Sequence, residues 1–176
     1  MDDTQPVNEI ARKLGNLLIN KGIDILVSSF HLEPVKVSSD EITQTIKQYF
    51  PSAPITHLDS WYYLIPIFQW KQIIESDWIS EKKWIIDARD CDNFANAFAA
   101  NASMYFLLNS VGRVYGKLYK GTNQFLGYHY WNVIITPDKK IWFFEPQSDK
   151  LEETNYQGGM LLIGGNLYVP ISFMFG

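Results

Sequence analysis

The residues able to do covalent chemistry are few. Cys91 is the only cysteine. A thiol is nucleophilic only as its thiolate, and a free thiol ionises near pH ~8.5. Three devices favour the anion: a helix N-terminus, a neighbouring imidazole, and a carboxylate that fixes the imidazole's tautomer. Candidates for all three are present. Cys91 opens the segment Cys91-Asp92-Asn93-Phe94-Ala95, His129 lies in Gly127-Tyr128-His129-Tyr130-Trp131-Asn132, and Glu145 lies in Phe143-Phe144-Glu145-Pro146-Gln147. A Cys–His–Glu triad is the chemistry that these types suggest: His129 as base and then acid, Glu145 as its orienter.

The elements that must position them can be read from periodicity. Phe94, Ala97, Phe98, Met104 and Leu108 recur at helical spacing in an Ala-rich stretch without Gly or Pro, so a central helix is expected with Cys91 at its start. After Gly112 the period becomes two. Strands are expected over 114–119, 128–136 and 140–145, the last two joined by the turn Pro137-Asp138-Lys139. With a three-residue loop, Thr136 pairs with Lys140, Trp131 opposes Glu145, and His129 and Glu145 become diagonal neighbours on one face. A four-residue loop places Asn132 opposite Glu145 and turns His129 away, which makes Asn132 the reserve orienter. In the first register Trp131 and Trp142 fall on opposite faces.

Upstream, apolar residues at Val7, Ile10, Ala11, Leu14, Leu17 and Leu18 predict a helix over 7–21, with Gly22 as its C-cap. Ser38 and Glu41 have the spacing of a capping box for a short helix ending near Tyr49. Residues 50–66, rich in Pro and aromatics, read as irregular, and helix resumes over 68–77. Short strands close the chain over 160–163 and 167–173. Helices first and antiparallel strands after predict an α+β fold, with the helices on one side of a sheet. A single domain over 1–176 is expected, its first 80 residues mainly helical and its functional core in 81–176.

Composition excludes several classes. The chain has 176 residues, 47% hydrophobic and 19% charged, with a net charge of −4 and a pI near 5.3. Its densest basic pairs are Lys82-Lys83 and Lys139-Lys140. No basic face points to nucleic acid. The longest apolar run, 61–68, is far short of the about 20 residues that a membrane helix needs. One cysteine and no apolar leader make a cytoplasmic location the expectation.

At the three segments around Cys91, His129 and Glu145 the sequence resembles the papain-like, calcium-dependent cysteine-protease domain of mushroom chimeric agglutinins. It resembles bacterial transglutaminase-like cysteine proteinases more distantly. The resemblance covers 87–149, and related stand-alone sequences occur in bacteria and phages. It implies a papain-like fold and a cysteine hydrolase (thiol protease) acting on a protein or peptide substrate, with acyl transfer as a variant. Cys91 matches the nucleophile, His129 the base and Glu145 the third member. It also implies a divalent-cation site, Ca2+ by preference, at Asp92, Asn93, Gln147 and Asp149. These are oxygen donors of the kind hard cations use, although Asx at a helix start is also explained by capping.

Two features weigh against catalysis. No upstream Gln lies at the offset expected for a papain-type second oxyanion donor, and Asn93 carries no charge where the resemblance leads one to expect a carboxylate. The alternative is therefore a catalytically inactive binding or accessory module on the same fold, of the kind phages encode. His31 and His57 read as ordinary structural residues. The cluster Trp61, Tyr62, Tyr63, Phe68 and Trp70 reads as core and cleft wall.

Overall fold

A computed structural model describes residues 13, 17, 21, 22, 29–154 and 161–176. The chain divides into two compact units, 1–32 and 33–176. The helix expected over 7–21 lies almost wholly outside the described residues, as does Met160; Lys13, Leu17, Lys21 and Gly22 are helical.

The larger unit runs β1 (Val35–Ser38), α1 (Ser39–Tyr49), β2 (Ile55–His57), β3 (Trp61–Leu64), α2 (Ile67–Ser76) and α3 (Cys91–Phe106). Then come β4 (Val111–Lys120), β5 (Gln124–Ile135), β6 (Ile141–Glu145), β7 (Lys150–Glu153), β8 (Leu161–Ile163) and β9 (Asn166–Phe175). The capping box forms as its spacing predicts: Glu41 N–H donates to Ser38 Oγ (3.2 Å) and Ser38 N–H to Glu41 Oε2 (2.9 Å). That starts α1, and Pro51 and Pro54 follow its end.

The main sheet has the order β2-β9-β4-β5-β6-β7, with β8 against β9. It is mixed, because β2 pairs with β9 in parallel. A separate antiparallel pair joins β1 to β3. Side-chain alternation sends Trp131, Val133 and Phe143 to one face and Asn132, Ile134 and Phe144 to the other. On the first face Ile42, Ile46 and Phe50, from α1 and the residue after it, pack with Trp131, Phe143 and Phe173. Phe50 meets Phe143 edge-on at 5.8 Å. On the second face Phe98 of α3 meets Phe144 at 4.4 Å, and α2 packs outside α3 through Trp70. Each fully buried aromatic contributes on the order of 2–3 kcal/mol of apolar burial.

The expected α+β arrangement needs correction on three points. Strand residues outnumber helical ones among the described elements, so the unit is mainly β. The sheet is mixed and not antiparallel throughout. Helices cover both faces of it, because β5 and β6 are apolar on both sides and each side needs a cover. The segment 50–66 is also not irregular; it holds β2 and β3. Trp61-Tyr62-Tyr63-Leu64 alternates between exposed and buried, but four apolar residues in a row hide that alternation from a reading of types. No described helix is long and apolar enough to cross a membrane.

Candidate functional site

The β5–β6 hairpin takes the three-residue loop. Ile135 pairs with Ile141 and Asn132 with Phe144. Thr136 N–H donates to the Lys140 carbonyl at 3.1 Å. Lys139, the last loop residue, has φ 61°, the left-handed position that lets such a loop close. Counting outward, Trp131 opposes Glu145, and His129 falls past the last ladder pair, diagonal to Glu145 on the same face.

That diagonal is closed by a short contact. His129 Nε2 lies 2.6 Å from Glu145 Oε2, the two side chains being 13% and 7% exposed. Tyr168 of β9 donates its hydroxyl to the same oxygen at 3.1 Å, and Gln147 N–H reaches Glu145 Oε1 at 3.3 Å. The buried carboxylate therefore has three donors, which offsets its loss of water. Trp131 stacks on the imidazole (6.0 Å, 20°) and Tyr168 meets it edge-on (5.7 Å). Gly116 sits opposite His129 on β4. A Cβ there would run into the Val169 carbonyl and the Trp131 ring. Glycine thus keeps the Trp131 ring beneath the imidazole.

Cys91 is the first residue of α3 and partly exposed. Its helix lies on the opposite face of the sheet from His129, yet Cys91 is near enough to the imidazole to help raise its pKa. The approach is possible because the β5–β6 ladder ends before His129, which stays paired to β4 but has no β6 neighbour beside it. With Nε2 committed to Glu145, Nδ1 is the nitrogen left for the thiol. Burial pulls the His129 imidazole down. The hydrogen bonds to Cys91 and Glu145, with their charges, outweigh it, and the group is pushed up to about 9. At neutral pH the cluster presents an imidazolium backed by Glu145 and beside Cys91. Chemically it can hold a polar or anionic group, exchange a proton, or bring the thiol against an electrophile.

The remaining sequence candidates go elsewhere. Asn132 lies on the α3 face. Its Nδ2 donates to the carbonyls of Ala95 (3.0 Å) and Gly112 (3.3 Å), which ties α3 to the sheet and leaves His129 alone. Asn93 Oδ1 accepts from Asp90 N–H at 3.2 Å, as a helix-start residue does. Asp92 shares a hydrogen bond with Asp90, which together with burial and the Asp90 charge holds its carboxyl above the usual range. Asp149 accepts from Ser80 Oγ at 2.6 Å. As arranged, Asn93 and Asp149 spend donor oxygens on internal hydrogen bonds. Among the described residues no three His, Cys, Asp or Glu side chains are grouped to hold a metal. Two members of the cluster went unread in the sequence, Gly116 and Tyr168. The one signal for Tyr168 is a tyrosine in an otherwise apolar strand, since a buried hydroxyl needs a partner.

No family model matches the chain, and no curated protein does. Solved structures do. One, described as a PSL1a–E64 complex, superposes with a TM-score of 0.60 at 16% identity, covering 80% of this chain and 51% of that chain. Another is a Polyporus squamosus lectin bound to the human-type influenza-binding epitope Neu5Acα2-6Galβ1-4GlcNAc. It has a TM-score of 0.60 and 16% identity, covering 80% of this chain and 49% of that one. The likeness establishes a shared fold, and the chain spans about half the length of these relatives. This overturns the identification as a papain-like or transglutaminase-like cysteine protease. What the fold matches is described as a lectin, and no family or curated match supports a thiol protease or hydrolase.

Proposed function

We propose that residues 33–176 form a non-catalytic binding module whose ligand sits at the open end of the hairpin, against His129, Cys91, Glu145 and Tyr168. The observation that carries this reading is the placement of His129. It is a cationic imidazole braced by Glu145 and stacked on Trp131, just past the point where the β5–β6 ladder stops. A group fixed this firmly loses little entropy on gripping a ligand oxygen. The shared fold supports the same reading, because the neighbour's described partner is a glycan. A hydroxyl-rich or carboxylate-bearing sugar is the ligand class we put forward. The Neu5Ac carboxylate offers the anion that an imidazolium holds best.

The test is a calorimetric titration of Neu5Acα2-6Galβ1-4GlcNAc and its asialo form into the full chain, with calcium and with chelator. Saturable binding that weakens at least tenfold in His129→Ala supports the module. Heat changes only with calcium would bring Asp92, Asn93, Gln147 and Asp149 into the site as cation ligands. Steady release of product from a peptide or amide, lost in Cys91→Ala, would overturn the non-catalytic reading outright.

A further inference from the structure

A second site lies beside α3, lined by none of Cys91, His129, Glu145 and Tyr168 and independent of the reading above. A cavity of about 330 Å³ opens between α3 and the segment that precedes it. Ile79, Phe94 and Ala97 line it with apolar surface, Ile79 and Phe94 being buried themselves. Trp78, 52% exposed, forms a wall. Lys82 and Arg89 stand at its edge, and none of the residues that line it is acidic.

The charges are the telling part. The chain is acidic overall, with 19 Asp and Glu against 15 Lys and Arg. Yet among the described residues neither Lys82 nor Arg89 is in an ion pair. Lys82 Nζ lies 4.3 Å above the Trp78 ring, and Arg89 donates one bond to the Lys83 carbonyl at 3.3 Å. The neighbouring acid is occupied, since Asp90 Oδ2 accepts from Asp87 N–H. Two cations without carboxylate partners beside an apolar cavity favour a ligand with an apolar body and an anionic head. The volume sits at the low end of the ~300–1,000 Å³ range of small-molecule pockets, enough for one ring or branched chain. Arg matches a carboxylate's two oxygens geometrically, and Lys adds a point charge.

We propose that this cavity binds a small apolar carboxylate, its hydrocarbon against Ile79, Phe94 and Ala97 and its carboxylate at Lys82 and Arg89. The site begins two residues after Cys91 and shares no side chain with the imidazole cluster, so the two stand or fall separately.

The experiment titrates 3-phenylpropanoate and 3-phenylpropanamide into the 15N-labelled full chain at pH 7 and follows the backbone amide resonances. The acid is expected to bind saturably, about five- to tenfold more tightly than the amide, with the largest shifts at Phe94, Ala97 and Asn101. Lys82→Gln with Arg89→Gln, both exposed, removes the preference for the acid while leaving the fold intact. Ala97→Phe fills the cavity and abolishes both ligands, and Cys91→Ala changes neither. Equal affinity for acid and amide in the unaltered chain would overturn the proposal. So would shifts centred away from α3, or a preference that survives the double glutamine variant.

Discussion

Two carboxylates of this unit, Glu145 buried and Asp77 partly buried, are treated in opposite ways. Glu145, on the sheet, has donors on both oxygens: His129 and Tyr168 on one, Gln147 N–H on the other. Asp77, just past α2, accepts from Ile79 N–H at 3.1 Å through Oδ1, while Oδ2 is buried without a partner. Burial pushes Asp77 up to about 6, and the nearby Asp149 charge adds to the rise against backbone bonds that oppose it. Burial alone thus does not decide whether a carboxylate is tolerated; the donors aimed at it do. Glu145 is held by a network spanning β5, β6 and β9. Asp77 sits at the rim of an open cavity of about 470 Å³, where nothing of the kind is supplied.

The contrast can be broken most sharply at Glu145. Glu145→Ala leaves the His129 charge buried and the Tyr168 hydroxyl unpaired, and should cost about 3–5 kcal/mol in urea unfolding. Tyr168→Phe removes one bond to a charged group without opening a large cavity, and should cost about 1.5–3 kcal/mol. Asp77→Asn should act in the opposite sense, stabilising the chain at pH 7 by about 1–2 kcal/mol once its partial exposure is allowed for. A loss of stability in Asp77→Asn equal to that in Glu145→Ala would erase the distinction.

The same two regions should respond to opposite ends of the pH scale. Asp77 has a folded pKa above its unfolded value of about 3.9, so its protonated form favours the fold. That stability is present below about 3.9 and is lost as pH rises through about 6. His129 is also raised, but its charged form is the stabilising one. Its contribution is complete below about 6.5 and is lost as pH rises through about 9. Urea midpoints should therefore fall between pH 4 and 6 in wild type but not in Asp77→Asn, and again between pH 7 and 9 in wild type but not in His129→Gln. The smallest effect is expected from Cys91→Ala. NMR titration should show the His129 pKa lowered from about 9, because a hydrogen bond and a charge that hold it up are gone.

Much of the site was legible because its parts are local. Ser38 and Glu41 announced α1, and the Ala-rich run announced α3 with Cys91 at its head. What misled was the step from motif to family and from element order to architecture. Three short segments carried the protease resemblance, and segments that short can sit in chains of other function. Helices preceding strands suggested one covered face. The apolar residues on both sides of β5 and β6 required two covers.

The sequence by itself determined where the hairpin lies. Alternation along β5 and β6 and the turn Pro137-Asp138-Lys139 left two registers, and the structure takes the one that places His129 and Glu145 on one face within a stretch of 17 residues. Only the tertiary structure decided what surrounds that pair. Tyr168 reaches Glu145 from 23 residues away, and Cys91, on the helix that covers the opposite face of the sheet, lies near enough to His129 to help raise its pKa. Such contacts are chosen by long-range packing, which no local period or turn residue records.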